Sequence, residues 1–231
     1  MAAVRKPYQQ QITPGEAQRA IYIDFEGFKG KPPSLFGWVW AVGKKASDSN
    51  LACIHDIHDK SLRPLIGAID VESGSVGSYE QRPFSVGQSI NDLARRANKQ
   101  DRLIVSWSTH ELNKIAESEL SPGLLRLFKL NYRDGKATAK KWFQQLGLST
   151  ASQSNQLVRY LDHAGYPMPD TYRLGETTKR LRSVLGGIKT RGSYTKLTAH
   201  QQECWRGLLD HNFVDCHGLR QVTKAAAKAL G

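Results

Sequence analysis

The sequence predicts an α/β domain in which a mixed β-sheet is flanked by helices. Two observations predict it: runs rich in β-branched and aromatic residues fill the first part of the chain, and helical apolar spacing dominates the second. The chain has 231 residues, a length that favours one domain with elaborations. We expect a flexible arm over residues 1–18, a polar stretch with two prolines, and one folded domain over residues 19–231.

The predicted strands come first along the chain. Residues 20–24 (AIYID) and 35–42 (LFGWVWAV) are typical of buried strands. Residues 29–34 are expected to form a loop because adjacent prolines cannot donate to a strand ladder. This connection is short, so the two strands are expected to pair antiparallel. Residues 51–58 and 65–71 are weaker strand candidates.

The later elements are mostly helical. Residues 89–98 have helical spacing, and residues 102–107 (RLIVSW) predict a further buried strand. Helices are expected from Glu111 and from Ser121, where a proline follows at an early helical position. Further helices are predicted over residues 138–146, 154–164, 177–185 and 199–230.

Two glycines and a basic segment separate the last two predicted helices. Gly186 and Gly187 are expected to end the helix over residues 177–185, because glycine is common just past a helix end. Residues 188–197 (IKTRGSYTKL) are expected to form a basic loop.

The composition is strongly basic. The chain carries 33 Lys and Arg against 21 Asp and Glu, a formal charge of +12 and a pI near 9.7. Such an excess attracts polyanions, so nucleic acid is the expected partner, with anionic lipid and ribosome association left open.

The cysteine count and the absence of apolar segments indicate the compartment. The three cysteines form no CxxC pair, which argues against a disulfide framework and a cysteine metal site. No run approaches the roughly 18 apolar residues of a membrane span, and the N-terminus lacks a signal-peptide core. We therefore expect a cytoplasmic protein without a membrane partner.

Acidic residues at three places in the chain are the candidates for metal binding and catalysis. Asp24 and Glu26 are two apart on the first strand, so their carboxylates share a face, and a hard divalent cation would offset their repulsion. Glu111 follows a later strand, and His211 and Asp215 share a face of the last helix. A histidine there suits proton transfer. The alternatives are solvated acids at a strand end and a His–Asp pair on a helix surface.

In this order, the segments resemble the DEDD exonuclease superfamily, which has a ribonuclease H-like fold. The family places a D-x-E pair on its first strand, an acid after a later strand, and Tyr-x-x-x-Asp or His-x-x-x-x-Asp on a terminal helix. The resemblance covers residues 20 to about 225. The chain departs from the pattern at Glu111, where the family usually has Asp, and at His211, which is combined with the three-residue gap of the tyrosine subtype.

The resemblance implies a metal-dependent 3′–5′ exonuclease that cleaves single-stranded DNA or RNA with two Mg²⁺ or Mn²⁺ ions. Asp24 would bridge the ions, and Glu26, Glu111 and Asp215 would complete the site. His211 would orient or deprotonate the attacking water. The catalytic residues would be His211, Asp24, Glu26, Glu111 and Asp215, and the last four would be the metal ligands.

Basic and aromatic residues between positions 173 and 196 are candidates for holding the nucleic acid. Cationic side chains suit phosphate contacts, and aromatic rings suit base stacking, although a solvated basic helix face would have the same composition. The candidates are Arg173, Lys179, Arg180, Arg182, Lys189, Arg191, Tyr194 and Lys196.

Two further functions stay open beside the exonuclease. One is a structure-selective endonuclease on the same fold, and the other is a non-catalytic module that binds nucleic acid. The departures at Glu111 and His211 keep the binding module open.

Overall fold

The structure is a computed structural model and describes residues 8, 10–43, 48–69, 76–117, 120–150, 156–169, 172 and 175–231. Its strands are β1 (Ile21–Glu26), β2 (Leu35–Ala41), β3 (Leu51–Ile57), β4 (Val76–Arg82), β5 (Ile104–Ser106) and β6 (Tyr132–Asp134). Its α-helices are α1 (Pro14–Arg19), α2 (Val86–Lys99), α3 (Thr109–Ala116), α4 (Pro122–Asn131), α5 (Gly135–Gln145), α6 (Leu157–His163), α7 (Thr177–Arg191) and α8 (Ala199–Leu230). Short 3₁₀ helices cover Lys60–Leu65 and Tyr194–Lys196.

The strands form one mixed sheet in the order β4-β3-β2-β1-β5-β6. β1, β2 and β3 pair antiparallel, as the short connection between the first two predicts. β5 runs parallel to β1, β6 runs parallel to β5, and β4 runs parallel to β3. The predicted α/β class and mixed sheet are therefore confirmed.

Helices cover both faces of the sheet, which explains why every residue of β2 and β3 is buried. Tyr22 and Val39 belong to the core beneath α5, α6, α7 and α8. Ile23 and Trp38 belong to the core beneath α2, α3 and α4. The alternation along each strand thus divides the side chains between two cores. Among the described residues, no helix has the length and apolar character needed to cross a membrane.

The helix α1 lies inside the segment predicted as an arm. Thr13 caps it with a reciprocal capping box to Glu16, and Ile12 and Ala17 are fully buried. The Tyr22 hydroxyl donates to the Ala17 carbonyl at 2.6 Å. Residues 12–18 therefore pack on the domain, whereas residues 1–7 and 9 of the predicted arm lie outside the described residues.

The strand candidate at residues 65–71 is wrong over its described part. Asp59 caps a 3₁₀ helix that ends at Leu65, and its side chain accepts from the Ser61 amide at 2.9 Å. Pro64 lies inside this helix and has no amide to donate to a strand. Residues 70 and 71 lie outside the described residues. The neighbouring edge strand is instead β4, whose polar sequence did not indicate a strand.

The helix stop predicted at Gly186 and Gly187 is also wrong. α7 continues to Arg191 and ends at Gly192, which has a left-handed φ of 80°. A Cβ at Gly187 would lie 2.7 Å from the Cδ of Gln201, so this glycine allows α7 to pack closely on α8. The first part of the predicted basic loop is therefore helical.

A buried ion pair joins β3 to β4. Arg82 donates to both carboxylate oxygens of Asp56, at 2.6 and 2.9 Å, and Asp56 also accepts from the Trp38 indole at 3.1 Å. Asp56 is fully buried and Arg82 nearly so. The pairing compensates a carboxylate that has no access to water.

Candidate metal centre

Asp24 and Glu26 lie at the carboxyl end of β1. Because they are two residues apart on a strand, both side chains project to one face of the sheet, the face that α8 covers. Glu26 is 9% exposed, and Asp24 is half-buried. The predicted acid pair is therefore held against a helix rather than left in solvent.

Glu111 reaches the same edge of the sheet from α3. β5 runs parallel to β1, with Ile104 opposite Ile21, so the carboxyl ends of the two strands meet at one edge. After β5 the chain enters α3 at the N-cap Ser108, and Glu111 lies in the first helical turn. It is 7% exposed, and its Oε2 has no hydrogen-bond partner among the described residues.

The third segment is the middle of α8, which crosses the sheet over Gly37. Asn212 is fully buried there, and its Nδ2 donates to Oδ2 of Asp24 at 2.9 Å and to the Asp24 carbonyl at 3.3 Å. A Cβ at Gly37 would lie 1.6 Å from Oδ1 of Asn212. The glycine therefore leaves the space in which Asn212 holds Asp24, and the same turn of α8 brings His211 and Asp215 to the site.

The four carboxylates interact electrostatically. Burial raises the pKa of Asp24 well above its ordinary value, and the charges of the other three carboxylates raise it further. Burial and then the charge of Asp215 raise the pKa of Glu26, while Arg180 opposes the rise. Burial also raises the pKa of Glu111. Three distant segments thus place four acids where each resists ionisation beside the others.

Asp215 is buried and contacts both Tyr172 and His211. Burial raises its pKa to about 7 despite a hydrogen bond from Tyr172, and the charge of Glu111 contributes to the rise. The Tyr172 hydroxyl donates to Oδ1 of Asp215 at 2.7 Å, and its ring stacks on His211 with centroids 4.3 Å apart and planes 1° apart. Tyr172 therefore fixes two site residues at once.

His211 faces two of the acids. Its Nε2 lies 3.3 Å from Oδ2 of Asp215 and 3.9 Å from Oε1 of Glu26. Burial, and then the charge of Arg180, lowers its pKa to about 4, so the imidazole is neutral near pH 7. Glu26, His211 and Asp215 each offer a ligand atom, and these atoms lie within 4.8 Å of one another.

The donor set fits a hard divalent cation. The carboxylates of Glu26 and Asp215 supply oxygen ligands of the kind that Mg²⁺ and Mn²⁺ prefer. Asp24 and Glu111 are not part of the group within 4.8 Å but interact with it electrostatically, and a cation there would offset the repulsion. Oε2 of Glu111 has no hydrogen-bond partner among the described residues, so this oxygen is available as a metal ligand.

Comparison with protein-family models, with curated proteins and with solved structures finds no match.

The predicted basic residues are spread along α7 and beyond it. Arg180 lies nearest the acids: its charge acts on Glu26, and its Nη1 donates to the Gly207 carbonyl at 2.8 Å. Arg191 lies eleven residues further along α7, about 16 Å away at the helical rise. The residues Lys179, Arg182, Lys189, Arg191 and Lys196 are exposed, Tyr194 is half-buried, and Arg173 lies outside the described residues.

The sequence pattern did not assign Gly37, Asn212 or Tyr172 to the site. One signal for Asn212 exists, because it is a polar residue on the stripe of α8 that also contains Leu208 and Cys216. Tyr172 is far from Asp215 in sequence and in no regular element, so no periodicity could place it.

Replacing Gly37 by Ala is expected to destabilise the fold by about 1–3 kcal/mol, the usual cost of overpacking. The added methyl would occupy the place of the Asn212 side chain and break its hydrogen bond to Asp24. Urea unfolding measures the change. Gly186→Ala is the matched control, because nothing lies within 4 Å of a Cβ there and the helix should gain stability. Equal free energies of unfolding for the two variants would contradict the close packing of Asn212 on Gly37.

The pH dependence of the free energy of unfolding is expected to reveal the raised pKa of Asp215. Because the folded pKa of Asp215, about 7, exceeds its ordinary value of 3.8, the folded state binds more protons than the unfolded state between these values. The contribution of Asp215 to stability therefore falls as pH rises from about 4 to about 7. In chelator, Asp215→Asn should gain stability relative to wild type across that window. If the difference in melting temperature between Asp215→Asn and wild type did not change with pH, the raised pKa of Asp215 would be contradicted.

Proposed function

We propose that the protein is a metal-dependent nuclease that hydrolyses phosphodiester bonds of single-stranded DNA or RNA, as a 3′–5′ exonuclease using two Mg²⁺ or Mn²⁺ ions. The observation that carries the proposal is the convergence of Asp24, Glu26, Glu111 and Asp215 from three distant segments. The mixed sheet flanked by helices is compatible with the ribonuclease H-like fold that the sequence resemblance implies.

The four carboxylates would hold the ions. Asp24 is the candidate bridging ligand, because it interacts with each of the other three acids. Asn212 orients this carboxylate through one hydrogen bond and is itself held by a second to the Asp24 backbone carbonyl. Bound divalent ions would supply activation of water and charge stabilisation at the leaving oxygen.

His211 and Arg180 would act on the water and the phosphate. The imidazole of His211 is neutral near pH 7 and can accept a hydrogen bond or a proton, and its stack on Tyr172 fixes the plane of the ring. Arg180 lies beside Glu26 and provides a positive charge at the edge of the acid cluster. A guanidinium there suits a non-bridging phosphate oxygen.

A labelled single-stranded oligonucleotide tests the proposal when it is incubated with Mg²⁺ or Mn²⁺ and, in parallel, with chelator. A ladder shortening from the 3′ end supports the exonuclease, and products from internal cuts indicate an endonuclease instead. A gel shift without cleavage in either metal would refute catalysis and leave a binding module.

A further inference from the structure

A cavity of about 780 Å³ lies behind His211. One wall is the outer face of α8, where Asp210, Val214, His217 and Gln221 recur at helical spacing. The opposite wall is the segment that follows α6, at positions 164–167, 169 and 172. His211 and Tyr172 line the cavity and also contact Asp215, so they separate it from the carboxylates by one layer of side chains.

Aromatic and imidazole rings line this cavity and hold one another in place. Tyr166 packs edge-on against His217 with centroids 5.3 Å apart, and its hydroxyl lies 3.2 Å from Nδ1 of His217. Phe213 also packs against His217, with ring centroids 5.4 Å apart, and Tyr172 stacks on His211. Ordered rings around a space of this size suit a flat aromatic ligand, because stacking requires preformed planes.

Acidic side chains are among the polar groups that line the cavity. Asp210 and Glu203 line it, and Oδ1 of Asp210 has no hydrogen-bond partner among the described residues. Asp48 also lines the cavity but is paired with Arg220 and Lys224, so Glu203 and Asp210 are the acids that disfavour a phosphate inside and favour a ligand edge that carries N–H donors. Arg206 also lines the cavity and suits the phosphate of a ligand whose ring lies inside.

We propose that this cavity binds an unpaired nucleobase of the nucleic-acid substrate, guanine foremost, with the carboxylate of Asp210 accepting from its Watson–Crick edge. Guanine presents two adjacent N–H donors on that edge, whereas uracil and thymine present one donor between two acceptors. A base can enter only when it is unpaired and unstacked. The inference rests on the proposed nuclease function for its substrate class and adds base selectivity to it.

The test measures binding of GMP and UMP by isothermal titration calorimetry at pH 8 in chelator, where no hydrolysis by bound metal can occur. GMP is expected to bind at least about fivefold more tightly than UMP, the low end of the discrimination given by a bidentate base contact. Asp210→Asn should remove that preference, because the amide replaces an acceptor oxygen with a donor. Asp162→Asn is the matched control, since Asp162 is exposed on α6 and does not line the cavity.

A second variant tests whether the nucleotides bind inside the cavity. Val214→Phe adds a ring to the cavity wall and should weaken binding of both nucleotides, while thermal unfolding reports whether the variant folds. The proposal is overturned if GMP does not bind, if UMP binds as tightly as GMP, or if Asp210→Asn keeps the preference. These results are independent of cleavage. Base-selective binding without cleavage in Mg²⁺ or Mn²⁺ would refute the nuclease alone, and cleavage without nucleotide binding in chelator would refute the cavity alone.

Discussion

Replacing Asp24 by Asn is expected to lower metal-dependent cleavage by about 10³-fold or more. The carboxylate is the candidate bridge between two ions, and losing about 4 kcal/mol of transition-state stabilisation corresponds to that factor. The asparagine has nearly the same shape, so its side chain can still pair with Asn212. Initial cleavage rates on a labelled single-stranded oligonucleotide at saturating Mn²⁺ measure the effect.

The same substitution should not destabilise the metal-free protein. Asp24 is surrounded by three other acids that raise its pKa, so removing its charge relieves repulsion. The melting temperature in chelator is therefore expected to equal or exceed that of wild type, and stabilisation by added Mn²⁺ should shrink. Asp162→Asn, an exposed change of the same kind on α6, should alter neither property. Cleavage by Asp24→Asn at the wild-type rate would show that the site lies elsewhere.

Replacing Arg82 by Ala is expected to destabilise the fold by about 3–5 kcal/mol. Removing one partner of a buried pair leaves an uncompensated charge, and here that charge is Asp56, which is fully buried. Arg82 also lies over the rings of Trp38 and Phe84, so packing is lost as well. Chemical denaturation followed by far-UV circular dichroism gives the free energy of unfolding.

Two further variants separate the buried charge from a general effect of losing an arginine. Arg95→Ala removes an exposed arginine of α2 and should change stability by no more than about 0.5 kcal/mol. Changing Asp56 to Leu in the Arg82→Met background should recover much of the loss, because neither charge then remains in the core. An Arg82→Ala cost no greater than that of Arg95→Ala would contradict the assigned role.

Local sequence patterns predicted most helices and strands, but not those whose formation depends on packing against other parts of the chain. The run at residues 35–42 indicated β2 because apolar β-branched and aromatic side chains mark a buried strand. The sequence does not predict β4 because an edge strand with polar residues has no apolar alternation. It does not predict β6 because that three-residue strand, Tyr-Arg-Asp, lacks the apolar run that marks β5. The pattern Gly186-Gly187 predicts a helix end, but Gly187 instead allows close packing of α7 on α8, which sequence spacing does not reveal.

The sequence by itself determined the class of the fold, the basic charge and the acidic residues available for chemistry. These properties are local or additive, so periodicity and composition are enough to predict them. The tertiary structure decided that the charges of Glu111 and Asp215 act on Asp24, since the parallel pairing of β5 with β1 and the crossing of α8 over Gly37 bring these segments to one edge of the sheet. It also decided the roles of Tyr172 and Asn212 and the cavity behind His211, because contacts between distant segments depend on packing that no local pattern encodes.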